Sequence, residues 1–320
     1  MNRHSLFEIT AGIQNSFQQG DYFAALQIAE NGFNAFPDQR PQFYFWQITL
    51  NAAIGKTSTS LDLLELALDE GIWFTEILLR RNPMFADFQD LPRFTRAINK
   101  NNKIMALDPE RKYPLLLLHT QGSCLAGGKS CPLLFGLHDN DSAAIRSMSY
   151  WKPAAASNWL VAVPQSSQAK WKGAYIWDDR ELSKSEIVGH FSKLSKQYSI
   201  DPDRVLLAGA FNGADIAAWI SITGSLKNRG FIAINPTGPT IEKPEQYLDE
   251  LSLDSGSRPM GYIIIESEEP GISKSQIRSF INVMKDFGFP IQVEEIPGSE
   301  ISPSSIYESA LKNAIQTLLG

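Results

Sequence analysis

The first third of the chain has the hydrophobic spacing of amphipathic helices. In residues 5–19 the apolar side chains recur three or four positions apart, which places them on one helix face. These apolar positions are Leu6, Ile9, Ile13 and Phe17. A second helix is predicted after Gly20 and ends before Pro37, and helical patterns follow in residues 56–71 and 90–105. The pattern therefore predicts an all-helical domain over residues 1–108.

Two parts of this helical region resemble each other. Gly55 follows Gly20 by 35 residues, and each glycine precedes a helical run. The first run, G-D-Y-x-x-A-L-x-x-A ending in F-P, resembles the second half of a tetratricopeptide repeat. The second run departs from that pattern, with Thr57 and Ser60 where Tyr and Ala are usual. The resemblance covers two degenerate units in residues 5–72, and it implies helical hairpins.

What these helical hairpins do is left open by the sequence. Repeats of this kind need about three units to bury a continuous core, and two units offer little concave surface. We therefore prefer a domain that serves packing, with a peptide-binding groove for a protein partner as the alternative.

From about residue 110 the pattern changes to short apolar runs separated by helical ones. The strand-like runs are residues 113–119, 131–138, 159–164, 204–209, 230–235, 261–267 and 290–297. Strands that are apolar on both faces and alternate with helices predict a parallel, doubly wound α/β sheet. No helical pattern separates the first two strands, so we expect an antiparallel start. The change near Pro109 predicts a second domain over residues 109–320.

Composition and charge limit the classes of binding partner that the chain can be expected to have. The net charge is −6 and the pI about 5.4, which argues against nucleic acid or an anionic membrane surface as the main partner. No run approaches the ~18 apolar residues of a membrane span. The first residues lack the apolar core of a signal peptide, so we expect a cytoplasmic protein.

Cys124 and Cys131 are the only cysteines of the chain. No set of Cys and His residues has the spacing of a zinc site. We interpret the two as free thiols, with a local disulfide as the alternative, and we expect neither a metal nor a cofactor.

One segment has the pattern of a sharp strand-to-helix turn. Residues 204–208 form an apolar strand, Gly209 and Gly213 bracket a tight turn, and small residues from Ala214 onward begin a helix. This segment resembles the α/β-hydrolase family, in its esterase, phospholipase and dienelactone-hydrolase-like branch. The run ending in His138 resembles the strand before the family's H-G-G-G-type oxyanion loop. The resemblance covers residues 110–320 and implies an α/β-hydrolase-type sheet.

The residues at the family's catalytic positions differ from those of an enzyme. The family's turn reads G-x-S-x-G, and the glycine spacing places Phe211 at the position of the serine nucleophile. Phenylalanine has no lone pair to attack a carbonyl. The family's histidine would fall near Ser299 or Glu300, and its acid near Glu269. The four histidines are His4, His119, His138 and His190, and none follows the turn.

The expected function follows from these losses. Residues 139–141 also replace the family's three glycines with Asp, Asn and Asp, adding bulk and charge beside the oxyanion position. We therefore expect no catalytic residues. Phe211, Glu269 and Ser299 stand at the degenerate positions of the nucleophile, the acid and the histidine. We expect a protein that binds a small apolar or ester-like ligand or a protein partner. The candidate pocket residues are His138, Asp139, Asn140, Phe211, Asn212 and Glu269.

Two other functions stay open. A working esterase or phospholipase could use a rearranged site, with His138 as the base and Ser142 or Cys124 as the nucleophile. The chain could also be an interaction scaffold that acts through its helices alone. A carboxylate cluster of Glu266, Glu268 and Glu269 with Asp139 and Asp141 could hold a metal, but solvated loop carboxylates are the preferred interpretation.

Overall fold

The computed structural model describes residues 3–112, 115–118, 130–157, 159–251, 258–267, 269, 271–297 and 305–319. The chain divides into two units, of which the first is Met1–Lys112 with Ala169–Ala174 and the second is Tyr113–Gln168 with Tyr175–Gly320. The helical N-terminal region and the mostly parallel α/β sheet after it confirm the predicted fold class.

The helices of the first unit begin with two hairpins. They are α1 (Arg3–Gln18), α2 (Tyr22–Ala35), α3 (Arg40–Ala53), α4 (Thr57–Asp69), α5 (Glu76–Arg81), α6 (Pro92–Leu107) and α7 (Pro109–Lys112), with 3₁₀ turns at Pro37–Gln39 and Pro83–Phe88. Gly20 and Gly55 end the first helix of each hairpin, and both have a φ of 77°. A left-handed residue there requires glycine and closes the helix. The 35-residue spacing in the sequence is thus a spacing between equivalent turns.

The hydrophobic pattern of the sequence does not predict α3. Its buried residues are Phe43, Tyr44, Gln47, Ile48, Thr49, Leu50 and Asn51. They cover more than one face, because α3 packs against both α2 and α4. A helix buried on several sides has no single apolar stripe, and this removes the signal that identified its neighbours.

The second unit contains a seven-stranded sheet. Its strands are β1 (Leu115–Leu118), β2 (Cys131–Leu137), β3 (Leu160–Pro164), β6 (Ile200–Ala210), β7 (Gly230–Ile234), β8 (Met260–Glu266) and β9 (Ile291–Ile296), in the order β1-β3-β2-β6-β7-β8-β9. A short pair, β4 (Ala169–Trp171) and β5 (Ala174–Tyr175), stands apart from this sheet. The start of the sheet is antiparallel, as expected, but β1 pairs with β3 and not with β2. The other neighbours in this sheet are parallel.

Helices connect and flank these strands. They are α8 (Ala144–Ala156), α9 (Arg180–Gln197), α10 (Asn212–Ile222), α11 (Pro239–Glu242), α12 (Lys274–Asp286) and α13 (Ser305–Leu319), with a 3₁₀ turn at Pro244–Glu250. Strands β2, β3 and β7 are buried along their whole length, which explains their continuous apolar sequence. None of the helices that the structure describes is long and apolar enough to cross a membrane.

One expectation about the cysteines is wrong. Cys131 is disulfide-bonded in the structure and not a free thiol. A count of two cysteines does not distinguish thiols from a local bond, because that depends on how the chain between them folds. The chain's other cysteine, Cys124, lies outside the described residues. Disulfides are rare in the cytosol, so the bond does not favour the expected compartment.

Candidate functional site at the strand–helix elbow

The predicted sharp turn lies between β6 and α10. Strand β6 ends at Ala210, helix α10 begins at Asn212, and Phe211 joins them with φ 52° and ψ −116°. A bulky residue at positive φ is strained and persists only where the surroundings hold it. The Phe211 amide donates to the carbonyl of Ile234 on β7 at 2.9 Å, and its carbonyl accepts from the amide of Asp215 at 3.2 Å. Backbone hydrogen bonds on both sides of Phe211 thus hold the turn in this conformation.

Both elbow glycines are required by close packing. A Cβ on Gly209 would lie 2.2 Å from the carbonyl carbon of Gly213. A Cβ on Gly213 would lie 2.4 Å from the carbonyl oxygen of His138. Because both contacts are with backbone, neither neighbour can move aside. The spacing of the two glycines is therefore fixed by packing, and Phe211 lies at the tip of the turn between them.

The ring of Phe211 is buried within the protein. Its exposed fraction is 7%, and it belongs to the apolar cluster that lies on one side of the sheet. Other members of this cluster include Trp151 of α8, Ile232 of β7, Ile264 of β8 and Tyr307 of α13. The side chain at the tip of the turn is therefore part of the core.

The backbone amide after the elbow residue is already bonded. In α/β-hydrolases this amide helps to hold the oxyanion. Here the Asn212 amide donates to Oδ1 of Asp139 at 3.3 Å, and the Asn212 side chain donates to the carbonyl of Thr237 at 3.4 Å. The carboxylate of Asp139 therefore lies against the first amide of α10.

His138 follows the end of β2 and is fully buried. Its Nε2 accepts from the amide of Ser166 at 3.2 Å and from the side chain of Gln165 at 3.1 Å. Since an amide can only donate, the ring proton lies on Nδ1 and is donated to the Asp139 carbonyl at 2.7 Å. The ring stacks on Trp177 with centroids 4.6 Å apart.

These surroundings keep His138 neutral. Burial lowers its pKa from 6.5 to about 4, against a smaller opposing effect of the Asp139 carbonyl. Both ring nitrogens serve the fold, and the bonds described for them go to backbone and amide groups. Ser142 pairs through its backbone with Tyr175, and Cys124 lies outside the described residues.

The remaining candidate residues lie in three places. The Asn140 side chain accepts from the amide of Trp177 at 2.8 Å and donates to Asp178 at 3.2 Å, which fixes the loop after β2. Glu269 follows β8, and its amide donates to the carbonyl of Glu266 at 3.3 Å. Ser299 lies outside the described residues. The structure thus joins the loop after β2 to the elbow through the hydrogen bond between Asp139 and Asn212. Glu269 follows β8, which is separated from the elbow strand β6 by β7.

A buried ion pair beside the elbow was not predicted. Asp215, in the first turn of α10, is 1% exposed and accepts from Arg180 at 2.7 Å. The amides of Thr240 and Ile241 donate to its other oxygen at 2.7 and 3.0 Å. Burial raises the pKa of the Asp215 carboxyl, and Arg180 and the two amides oppose that effect.

Arg180 itself lies between two aromatic rings. Its guanidinium carbon is 4.3 Å from the ring centroid of Trp219 and 4.7 Å from that of Tyr247. Through Asp215 and Arg180 the starts of α9, α10 and α11 are tied together. The only sequence signal was an acidic residue in the first turn of a helix, which is common at any helix start.

No metal-binding cluster of three or more His, Cys, Asp or Glu side chains occurs among the described residues. Of the acidic residues considered for a metal, Glu266 bonds to Asn235 at 2.9 Å, and Glu268 lies outside the described residues.

No known family model matches the chain. Over 83 residues it is 31% identical to the large ribosomal subunit protein bL12 of Mycoplasma mobile, a match to 26% of this chain and 64% of that protein. The chain therefore spans less than two thirds of that relative's length.

Several solved structures are similar in fold. A protein of Bacillus cereus ATCC 10987, described as uncharacterized, matches 98% of this chain and 99% of its own, with a TM-score of 0.53 and 17% identity. Esterase PE8 matches 63% of this chain and 96% of its own (TM-score 0.49, 15% identity). S-formylglutathione hydrolase of Staphylococcus aureus matches 64% and 92% (TM-score 0.48, 16% identity). At 17% identity, the likeness to the protein of Bacillus cereus concerns the fold alone.

Proposed function

We propose that this protein is a catalytically silent α/β-hydrolase-type protein that acts by binding and not by hydrolysis. The observation that carries the proposal is the buried phenylalanine at the elbow, held in the strained conformation of a nucleophile. An aromatic ring offers neither a lone pair for attack nor a proton for a base to remove.

The other parts of a hydrolytic site support the same proposal. No histidine follows the elbow in the chain, and His138 is neutral with both ring nitrogens in use. The Asn212 amide is bonded to a carboxylate and not left open for an oxyanion. In one serine protease, loss of the serine or the histidine alone lowers kcat by about a millionfold. A site that lacks both residues has neither the nucleophile nor the base of that reaction.

We further propose that the binding function belongs to the tetratricopeptide-like helical region, with a protein as partner. A small apolar ligand above Phe211 is disfavoured because the ring is already covered by the protein's own core. A hydrolase with a rearranged site is also disfavoured, because His138 would have to give up structural hydrogen bonds to act as a base.

Ester hydrolysis tests the proposal directly. With p-nitrophenyl butyrate as substrate, we expect the wild type and Phe211→Ser to hydrolyse at the uncatalysed rate, since restoring the serine supplies no base. A fluorophosphonate probe should label neither protein.

Two matched variants cover the rearranged site. Ser142→Ala and His138→Gln should leave the background rate unchanged. Turnover above background in the wild type that either variant abolishes would show a working hydrolase and overturn the proposal.

A further inference from the structure

The first unit contains a short segment from far along the chain. Residues 169–174 are counted in this unit although 56 residues separate them from its other members, which end at Lys112. Trp171 is 7% exposed and Ala174 is 2% exposed, and both belong to the apolar cluster formed by α3, α4 and α6. The helical unit is therefore completed by a hairpin and not by its helices alone.

The hairpin is held by backbone pairing to the loop after α4. Trp171 and Phe74 form an antiparallel bridge. The amide of Thr75 donates to the carbonyl of Lys170 at 2.8 Å, and the amide of Lys172 donates to the carbonyl of Trp73 at 3.0 Å. This is the pattern by which an extended peptide adds to a strand edge.

The receiving edge is fixed from its opposite side. The buried Asn101 of α6 accepts from the amide of Phe74 at 2.8 Å and donates to the carbonyl of Phe74 at 2.8 Å. Because Asn101 occupies both groups of Phe74, the chain is held extended with the carbonyl of Trp73 and the amide of Thr75 facing the hairpin. This arrangement does not depend on the hairpin for its hydrogen bonds, so the edge is preorganised.

The side chains of the hairpin are recognised as well. The ring of Trp171 stacks on Phe45, with centroids 5.6 Å apart and an angle of 28° between the planes. Phe45 in turn packs against Phe74 and Phe85, which complete an aromatic slot. The exposed Lys172 donates through Nζ to the carbonyl of Gly71 at 3.1 Å.

We infer that Trp73–Thr75, together with Phe45 and Asn101, forms a docking edge for an extended protein segment that carries a tryptophan followed by a lysine, and that residues 169–174 are its resident ligand. All the recognised features lie within six consecutive residues, so a separate peptide of the same chemistry can make the same contacts. A partner protein with such a segment would bind by displacing the hairpin. This inference rests on the proposal that the helical region is the binding part.

The full-length chain with Trp171→Ala tests this inference. The probe is a fluorescein-labelled peptide with the sequence of residues 168–175, and its polarisation is followed during titration. We expect 1:1 binding to the variant with a Kd on the order of 10⁻⁴ M, and binding at least about tenfold weaker to the wild type, whose edge is occupied. A peptide with alanine in place of its tryptophan should not bind. Lys196→Ala, at an exposed position of α9, is the control variant of the full-length chain and should behave like the wild type.

A second variant covers the case in which Trp171→Ala does not fold. Trp171→Phe keeps an aromatic ring in the slot and should bind the peptide several-fold more tightly than the wild type. Circular dichroism and amide hydrogen exchange of α1–α4 establish which variant is folded. A folded variant that does not bind the peptide overturns the inference. Peptide binding is measured without any ester substrate, so its outcome is independent of the hydrolysis assay that tests for a catalytically silent site.

Discussion

Phe211 combines a backbone conformation that phenylalanine disfavours with a side-chain position that it favours. Holding a non-glycine residue in so sparsely populated a region costs about 1–3 kcal/mol. Burying a phenylalanine ring contributes about 1.5–3 kcal/mol relative to leaving it exposed. The two effects are of similar size, so ring burial offsets the strain of the positive φ at Phe211.

This balance predicts an unusual order of stability for two variants. Phe211→Ala removes the ring and keeps the strain, so it should destabilise the fold by about 3–5 kcal/mol. Phe211→Gly removes the ring and also relieves the strain, so it should be more stable than Phe211→Ala by about 1 kcal/mol. Urea unfolding of the two variants measures the difference. Ala217 lies inside α10 and is the control: replacing this alanine by glycine should destabilise the fold by about 1 kcal/mol. If glycine is less stable than alanine at position 211 as well, the elbow is not strained.

His138 makes the stability of the fold depend on pH. Its pKa falls from 6.5 to about 4 in the folded state because it is buried. Above pH 6.5 the group is neutral in both states and has no effect. Between pH 6.5 and about 4 the unfolded chain binds a proton that the folded chain does not, so stability is lost as the pH falls, by about 3 kcal/mol over this window.

Replacing His138 by glutamine removes this titration. The variant should start less stable at pH 7, because glutamine does not reproduce both ring hydrogen bonds, and should lose about 3 kcal/mol less than the wild type between pH 7 and pH 4. Urea unfolding at the two pH values gives the comparison. Parallel losses in the two proteins would assign the acid sensitivity to carboxyl groups instead.

At the scale of elements, the sequence predicted those whose environment is regular. Strands β2, β3 and β7 are buried on both faces and read as continuous apolar runs, and the elbow was identified from glycine spacing. Elements with mixed surroundings were missed. Helix α8 contains Pro153, which interrupts a helical pattern, and β4 has only three residues, too few to show alternation.

The contacts that define the site could not be predicted in the same way. Asp139 bonds to Asn212 across 73 positions of sequence, and Arg180 bonds to Asp215 across 35. The glycine spacing reflects a requirement of the local backbone, and such a requirement can be recognised in a short stretch of a single sequence. A pairing between distant residues depends on which strand ends lie side by side, which is a property of the sheet order and not of either segment.

At the scale of the whole molecule, the change of pattern near Pro109 indicates a single boundary, but the first unit also includes residues 169–174. Six residues without helical periodicity carry no signal that they belong with helices. They bring Trp171 into the helical core, where a large buried aromatic side chain typically contributes several kcal/mol. A fragment that ends at residue 108 or 112 therefore lacks part of the core of its own unit.

This composition of the unit gives a prediction for isolated fragments, and it decides how a scaffold that acts through its helices has to be tested. Two fragments are compared: residues 1–112 alone, and residues 1–112 joined to residues 168–175 by a flexible linker of about 15 residues. The first should melt at least about 10 °C below the second, because only the second fragment buries Trp171. Circular dichroism at 222 nm during heating measures both. The same linked fragment with Trp171→Ala is the control and should melt like residues 1–112. If all three melt together, the hairpin contributes nothing to the helical unit, and the helices alone are then the correct fragment in which to look for a partner.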